Sequence, residues 1–246
     1  LDMIIELVKG MGYVGYKRIY GYGGLPVGTS EHAVSMISSG IDSPVASFEM
    51  LQRGVDLSYV HFHSSPVTSR QSIQNVEDIL MVLAGYQIQC RVYMVPLLKI
   101  QQKIMADAPN KLWVILFRRA MIRIASRIAE KIDAPALVSG ESVGQVASQT
   151  LSNIRATADA ADRPILRPLC GMNKEDIVNL AQKIGTYEIS IEPYEDCCSF
   201  FVPIHPETKA DLSHVIKVES SIDFGGLFDE AIENTTISTI QHPDYT

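Results

Sequence analysis

The stretch Ser38-Ser39-Gly40-Ile41-Asp42-Ser43-Pro44 has the residue types of a phosphate cradle, set between an apolar run over residues 33–37 and a helix-like run over 45–52. Small residues let backbone N–H groups approach an anion, and a following helix adds its unpaired first amides and the positive end of its dipole. Pro44 suits the first helical position and Asp42 or Ser43 a cap, so the same letters also describe an ordinary capped strand-to-helix turn. Two other short polar segments, His61-Phe62-His63-Ser64 and Ser139-Gly140-Glu141-Ser142, also follow apolar runs. His61 and His63, at alternate positions of a strand, are half of a metal site, but no third ligand cluster accompanies them. The four cysteines Cys90, Cys170, Cys197 and Cys198 have neither the density nor the spacing of a disulfide scaffold or a zinc site. A catalytic thiol is the better reading. Cys90 lies in apolar surroundings, Cys170 beside Leu169 reads as core, and Cys197 lies in a polar, acidic segment.

The elements between these groups decide whether they meet. Strand-like runs at 33–37, 57–62, 89–95, 136–139 and 165–168 alternate with helix-like ones, the pattern of an α/β fold with a Rossmann-like parallel sheet and helices on both faces. Ile73, Val76, Leu80 and Leu83 recur at helical spacing with Gly85 as a stop, and further helices are predicted over 112–131, 144–156 and 174–184. In an open parallel sheet, ligands lie beyond the carboxyl ends of the strands. By that rule residues 38–43, 61–64 and 139–142 converge on one edge, which favours the phosphate cradle over the plain turn. Residues 1–30 read as a lead-in, 31–209 as the domain that carries the chemistry, and 210–246 as a helical tail packed on it.

Other signals narrow the function. Gly10-Met11-Gly12-Tyr13-Val14-Gly15 matches the dinucleotide fingerprint, but the Gly-, Tyr- and Pro-rich residues 16–26 lead into a strand rather than the helix that fingerprint requires. No Gly-Lys-Ser/Thr occurs, so a nucleotide at residues 38–43 would be held without the usual loop lysine. The net charge of −7 argues against a domain that holds nucleic acid by bulk electrostatics. Arg119, Arg123, Arg127 and Lys131 recur every fourth residue, a solvated helix face or, more sharply, an RNA phosphate track, with Arg118 offset from it. The longest apolar runs, 79–84 and 112–117, are far short of a membrane span, and a cytoplasmic protein without membrane contact is expected. The chain starts at Leu1 rather than Met, from which an upstream domain is expected.

The loop resembles the signature of the pyrophosphate-loop (PP-loop) adenylating enzymes, Ser-Gly-Gly-x-Asp-Ser at the end of the first strand, with Ser39 in place of the first glycine. The resemblance implies cleavage of ATP between its α- and β-phosphates, with Ser38, Ser39, Gly40 and Ser43 around pyrophosphate and Asp42 near Mg2+. It narrows to the tRNA 4-thiouridine synthetases, also called thiamine biosynthesis sulfurtransferases. Four stretches carry it: Gly24-Leu25-Pro26-Val27-Gly28-Thr29-Ser30, His61-Phe62-His63-Ser64, Ser139-Gly140-Glu141-Ser142-Val143-Gly144-Gln145-Val146-Ala147-Ser148-Gln149-Thr150, and Tyr194-Glu195-Asp196-Cys197-Cys198. In that family the nucleotide contacts fall on Met36 and Ile37 at the strand end, His61 and Phe62 beside the adenine, and Arg118, Gly140 and Gln149.

The resemblance further implies that Cys197 carries sulfur as a persulfide, that a tRNA uridine at position eight is adenylated on O4, and that sulfur then replaces that oxygen. The same chemistry would supply sulfur for the thiazole of thiamine. Implied partners are tRNA, gripped with help from a THUMP-type domain outside this chain, a cysteine desulfurase as sulfur donor, and a second copy in a homodimer. Two alternatives stand beside this reading. One is another PP-loop ligase or amidating synthetase, in which an amine attacks the adenylate; the other is a nucleotide-binding module without turnover.

Overall fold

Residues of alternating parity along each strand bury on opposite sides of one sheet: Val34, Val60, Val95 and Leu137 on one face, and Ala33, Leu57, Tyr59, Val92 and Val138 on the other. Strands buried on both faces read as near-continuous apolar runs, which is why they were legible as parallel-sheet strands. The computed structural model describes residues 3–17, 21–67, 70–193, 201 and 205–243. Strands β1 (Ile4–Val8) and β2 (Met11–Gly15) form a separate antiparallel hairpin. Its two-residue turn, Lys9-Gly10, has positive φ at both positions, so the glycines that mimic a dinucleotide fingerprint serve a hairpin.

The main sheet comprises β3 (His32–Met36), β4 (Asp56–His63), β5 (Gln89–Pro96), β6 (Ala136–Val138), β7 (Ile165–Leu166) and β8 (Thr236–Gln241), in the spatial order β7-β6-β3-β4-β5-β8. All neighbours are parallel except β8, which pairs antiparallel with the edge of β5. Helices α1 (Asp42–Gln52), α2 (Gln71–Gln87), α6 (Lys174–Ile184) and α7 (Tyr187–Ser190) cover one face. Helices α3 (Leu98–Asp107), α4 (Trp113–Lys131), α5 (Leu151–Ala158), α8 (Leu212–Ser221) and α9 (Leu227–Glu233) cover the other. This is the α/β fold expected, a mixed sheet with helices on both sides.

Several local expectations are corrected. Helix α2 does not stop at Gly85; it continues to Gln87, whose side chain is buried and bonds both polar backbone groups of Leu57. Gly85 instead leaves room for the His242 ring, which a Cβ there would approach to 3.4 Å. The helix predicted from residue 144 begins only at Leu151, because Thr150 is extended and its hydroxyl caps Asn153 N at 3.2 Å. The tail is not wholly helical, since β8 completes the sheet.

The basic stripe on α4 divides: Arg119 is buried, while the partly exposed Arg123 and Arg127 are paired with carboxylates. Arg119 is 1 % exposed: its Nη2 donates to Glu219 at 2.7 Å, and its Nη1 to Asp159 at 3.2 Å and to the Ala156 carbonyl. Arg123 also donates to Glu219, at 2.8 Å, and Arg127 pairs with Asp229. These three guanidiniums fasten α5, α8 and α9 onto α4, and Lys131 is left exposed at the helix end.

Candidate active site

Strands β3, β4 and β6 end side by side, and the loops that follow them enclose a cavity of about 240 Å3. Of the residues expected to bind nucleotide, Met36, Ile37, Ser38, Asp42, Ser43, His61, Phe62, Arg118, Gly140 and Gln149 line it, together with Met121, Ile122, Ser139 and Glu141. Ser39 and Gly40 do not. Ser39 is 1 % exposed, so its side chain, the departure from glycine at this position, lies inside the protein rather than between loop and cavity.

Ser43 closes the loop onto the strand end. Its hydroxyl accepts from Ser38 N at 2.8 Å, lies 3.0 Å from Ser38 Oγ, and donates to Ser38 O at 3.1 Å. Neither Asp42 nor Ser43 caps α1: the helix starts at Asp42, Ile41 is the flanking residue, and no side chain bonds its first amides. Pro44 therefore sits in the first turn rather than at its first residue. The opening of α1 faces the cavity with the donors and dipole end that favour an anion.

Gly140 brings the loop after β6 against this one. A Cβ on residue 140 would lie 2.7 Å from Ser43 N and 2.8 Å from Ser43 Cα, so only glycine permits the contact. From the neighbouring strand, His61 Nδ1–H donates to Ile37 O at 3.1 Å, while Ile37 N donates to Val60 O at 2.9 Å. Both backbone polar groups of Ile37 are thus engaged inside the protein. Burial pushes His61 down to about 4, so its ring is neutral at pH 7, and its buried Nε2 has no hydrogen-bond partner among the described residues. A neutral imidazole protonated on Nδ1 presents that Nε2 as an acceptor. Burial lowers His63 in the same direction.

Charged groups that sequence reasoning did not single out complete the site. Buried Glu141 accepts from Arg118 Nη1 at 2.6 Å and from Arg167 Nε at 2.7 Å, and so fixes both guanidiniums. Arg167 Nη2 is buried and has no hydrogen-bond partner among the described residues. Lys174 Nζ donates to Asp42 Oδ1 at 2.6 Å, and Gln145 Nε2 to Asp42 Oδ2 at 3.0 Å. Lys174 is the cation the loop itself lacks, delivered from the first residue of α6. One signal pointed to Arg167: it directly follows β7, at the same sheet edge as the other strand-end segments. Nothing local marked Lys174.

Cys197, the expected sulfur carrier, lies outside the described residues, as does Cys198. Cys170 is not core: Leu169 is fully buried, whereas Cys170 is half-exposed on a turn whose carbonyl accepts from Val143 N at 3.4 Å, against the loop that holds Gly140. Cys90 is fully buried, and burial pushes its thiol up to about 12, far from a reactive thiolate.

Known proteins are similar to this chain. A probable tRNA sulfurtransferase of Moorella thermoacetica is 44% identical over 98% of this chain and 62% of its own length. One of Bacillus pumilus is 44% identical over 93% of this chain and 57% of its own. The chain therefore spans about three fifths of the length of the curated relatives it matches. A solved 4-thiouridine synthetase, in complex with RNA and with bound ATP, matches with a TM-score of 0.92 at 42% identity, covering 97% of this chain and 63% of that one. The NMN synthetase of Francisella tularensis, 11% identical with a TM-score of 0.52, shares the fold alone. The family model described as thiamine biosynthesis protein (ThiI) matches residues 28–224, a span that holds the loop, every segment lining the cavity and the Arg167 and Lys174 cations. With that span matched, the chain belongs to the ThiI family.

Proposed function

We propose that this chain is the ATP-using, sulfur-transferring part of a tRNA sulfurtransferase. The observation that carries the reading is the convergence of the Ser43-closed loop, His61 and Gly140 on one cavity, in a chain 42% identical to a 4-thiouridine synthetase solved with RNA and ATP. Residues 31–209 are the unit for this chemistry, and 210–246 an accessory packed on it. The adenine lies against Met36, Ile37, His61 and Phe62, the phosphates lie over the loop and the opening of α1, and Gln149 bounds the far side. The uridine O4 attacks the α-phosphorus, its bond to pyrophosphate breaks, and O4 leaves later as part of AMP. Arg118 and Lys174 balance the charge that develops on pyrophosphate, held in place beforehand by Glu141 and Asp42. Asp42 is a single carboxylate at the phosphate position, the donor set Mg2+ uses together with substrate phosphates. With Mg2+ bound there, its charge would be added to that of the two side chains.

The persulfide on Cys197 then attacks C4 through its outer sulfur and displaces AMP, leaving a disulfide between Cys197 and the base. A second thiol attacks Cys197 Sγ, which releases the thiolated base and leaves a protein disulfide. We assign that role to Cys170, partly buried on the turn whose carbonyl meets the loop that holds Gly140. We assign sulfur supply to a cysteine desulfurase, additional tRNA grip to a THUMP-type domain outside this chain, and the active assembly to a cytoplasmic homodimer. Sulfur for the thiazole of thiamine would leave from the same persulfide. Among the described residues, no helix is long and apolar enough to cross a membrane.

The test is mass spectrometry of nucleosides from tRNA incubated with ATP, a desulfurase and this chain, alone or extended by the upstream region of a longer relative. The expected product is 4-thiouridine, with AMP and pyrophosphate. Cys197→Ala should abolish thiolation while tRNA-dependent ATP–pyrophosphate exchange persists. Wild-type thiolation by Cys197→Ala would overturn the mechanism, and exchange without any thiolation by the native chain would favour an amidating or ligase reaction.

A further inference from the structure

At the amino ends of β3 and β4 lies a second cavity, of about 460 Å3, lined by His32, Asp56, Ser58, Gln89, Arg91 and Thr239 among others. His32 and Met36 bound the same strand, so this cavity is separated from the first by roughly 13 Å of sheet at about 3.3 Å per residue. His32 pairs with Asp56 and Val34 with Ser58 across two parallel strands, which puts all three polar residues on one sheet face. Asp56 Oδ2 lies 3.0 Å from His32 Nδ1, and Ser58 Oγ lies 3.1 Å from His32 Nε2. A carboxylate only accepts, so Nδ1 carries a proton; in the neutral ring Nε2 is then the acceptor and the Ser58 hydroxyl donates to it. That is the polarity of an orienting acid, a general base and a nucleophile in line. The hydrogen bond from His32 is the largest of the effects that hold the Asp56 carboxyl below its ordinary value. Arg91 is paired with Ser58 on the next strand and shares the cavity, and its side chain has no hydrogen bond or ion pair among the described residues.

We propose that Ser58 is the nucleophile of a second, ATP-independent site that cleaves a small acyl ester bearing an anionic group. Arg91 holds the anion beside the reacting carbonyl. Ser58 Oγ bonds to the carbonyl carbon and its proton passes to His32 Nε2. The carbonyl electron pair moves onto oxygen and returns as the bond to the alcohol breaks, and the alcohol leaves with the proton from Nε2. Water then attacks the acyl-serine by the same route, giving the carboxylic acid and free Ser58. The bland alternative is a polar cluster that only pins the register of β3 on β4, and it makes no prediction of reactivity at Ser58.

The experiment treats the whole chain with an alkyl fluorophosphonate and locates adducts by intact-mass and peptide mass spectrometry. One adduct is expected, on Ser58, formed equally with or without saturating ATP, absent in Ser58→Ala and slowed about 100-fold or more in His32→Gln. Ser58→Ala should keep its melting temperature and its ATP–pyrophosphate exchange, which separates lost reactivity from lost fold and this site from the first. 4-Nitrophenyl succinate should be hydrolysed above the Ser58→Ala background, with a KM raised about tenfold in Arg91→Met, while 4-nitrophenyl acetate is unaffected by that change. No adduct, an adduct on another residue, or an equal labelling rate in His32→Gln would overturn the proposal.

Discussion

A methyl group on residue 140 would sit 2.7 Å from Ser43 N, and backbone there cannot swing aside as a flexible side chain would. Gly140→Ala must therefore push apart two loops that line the cavity. We expect its KM for ATP to rise about tenfold or more, with a stability loss of about 1–3 kcal/mol, read by ATP–pyrophosphate exchange and urea unfolding. Lys174 makes the opposite case. Its pair with Asp42 is 45 % exposed on the lysine side, so it contributes little to stability, about 0–1 kcal/mol. Lys174→Met should lower kcat/KM for exchange by about 100-fold, Lys174→Arg should recover part of it, and both should melt near the wild type. A large stability loss with unchanged exchange would make the lysine a scaffold residue instead.

Among the elements, α4 does two jobs with adjacent residues. Arg118 reaches the cavity, while Arg119, one residue on, turns into the protein and meets Glu219 of α8. Burial disfavours the charged form of Glu219, but hydrogen bonds from Arg123 and Arg119, and their charges, outweigh it and hold its carboxyl below the usual range. A depressed folded value means that this stabilisation is fully present above the ordinary carboxylate value of 4.5 and is lost as pH falls through the folded value. Glu219→Leu leaves a buried guanidinium short of its partner, at a cost of about 3 kcal/mol at pH 7. The gap to wild type should narrow on acidification, since protonation removes the same charge from the native protein. Urea unfolding at pH 7 and at the acid end of the native range reads both values, and a pH-independent gap would show that packing, not charge, is what α8 loses.

For the whole molecule, a net charge of −7 and three guanidiniums committed to Glu219, Asp159 and Asp229 leave little cation surface on α4 for RNA. tRNA affinity of this chain by itself should be weak, and Arg127→Ala should leave the slope of log affinity against log salt unchanged. A phosphate contact there would reduce that slope by about 0.9. Filter binding across a salt series decides it. The sequence by itself determined the five parallel strands, though not the antiparallel β8, and the residues at their carboxyl edge, because apolar runs bounded by small polar residues report strand ends locally and parallel strands must all end on one side. Ser38, Ser43, His61 and Gly140 were legible on that ground, though Cys197 lies outside the described residues and its role rests on the motif. Only the tertiary structure decided the charge arrangement. Lys174 meets Asp42 across 132 residues, Glu141 joins two arginines from different elements, and Arg119 of the basic stripe turns inward to Glu219. The physical reason is that a guanidinium every fourth residue reads the same whether water or a carboxylate faces it. Which one does is set by helices packed against it from 100 residues away.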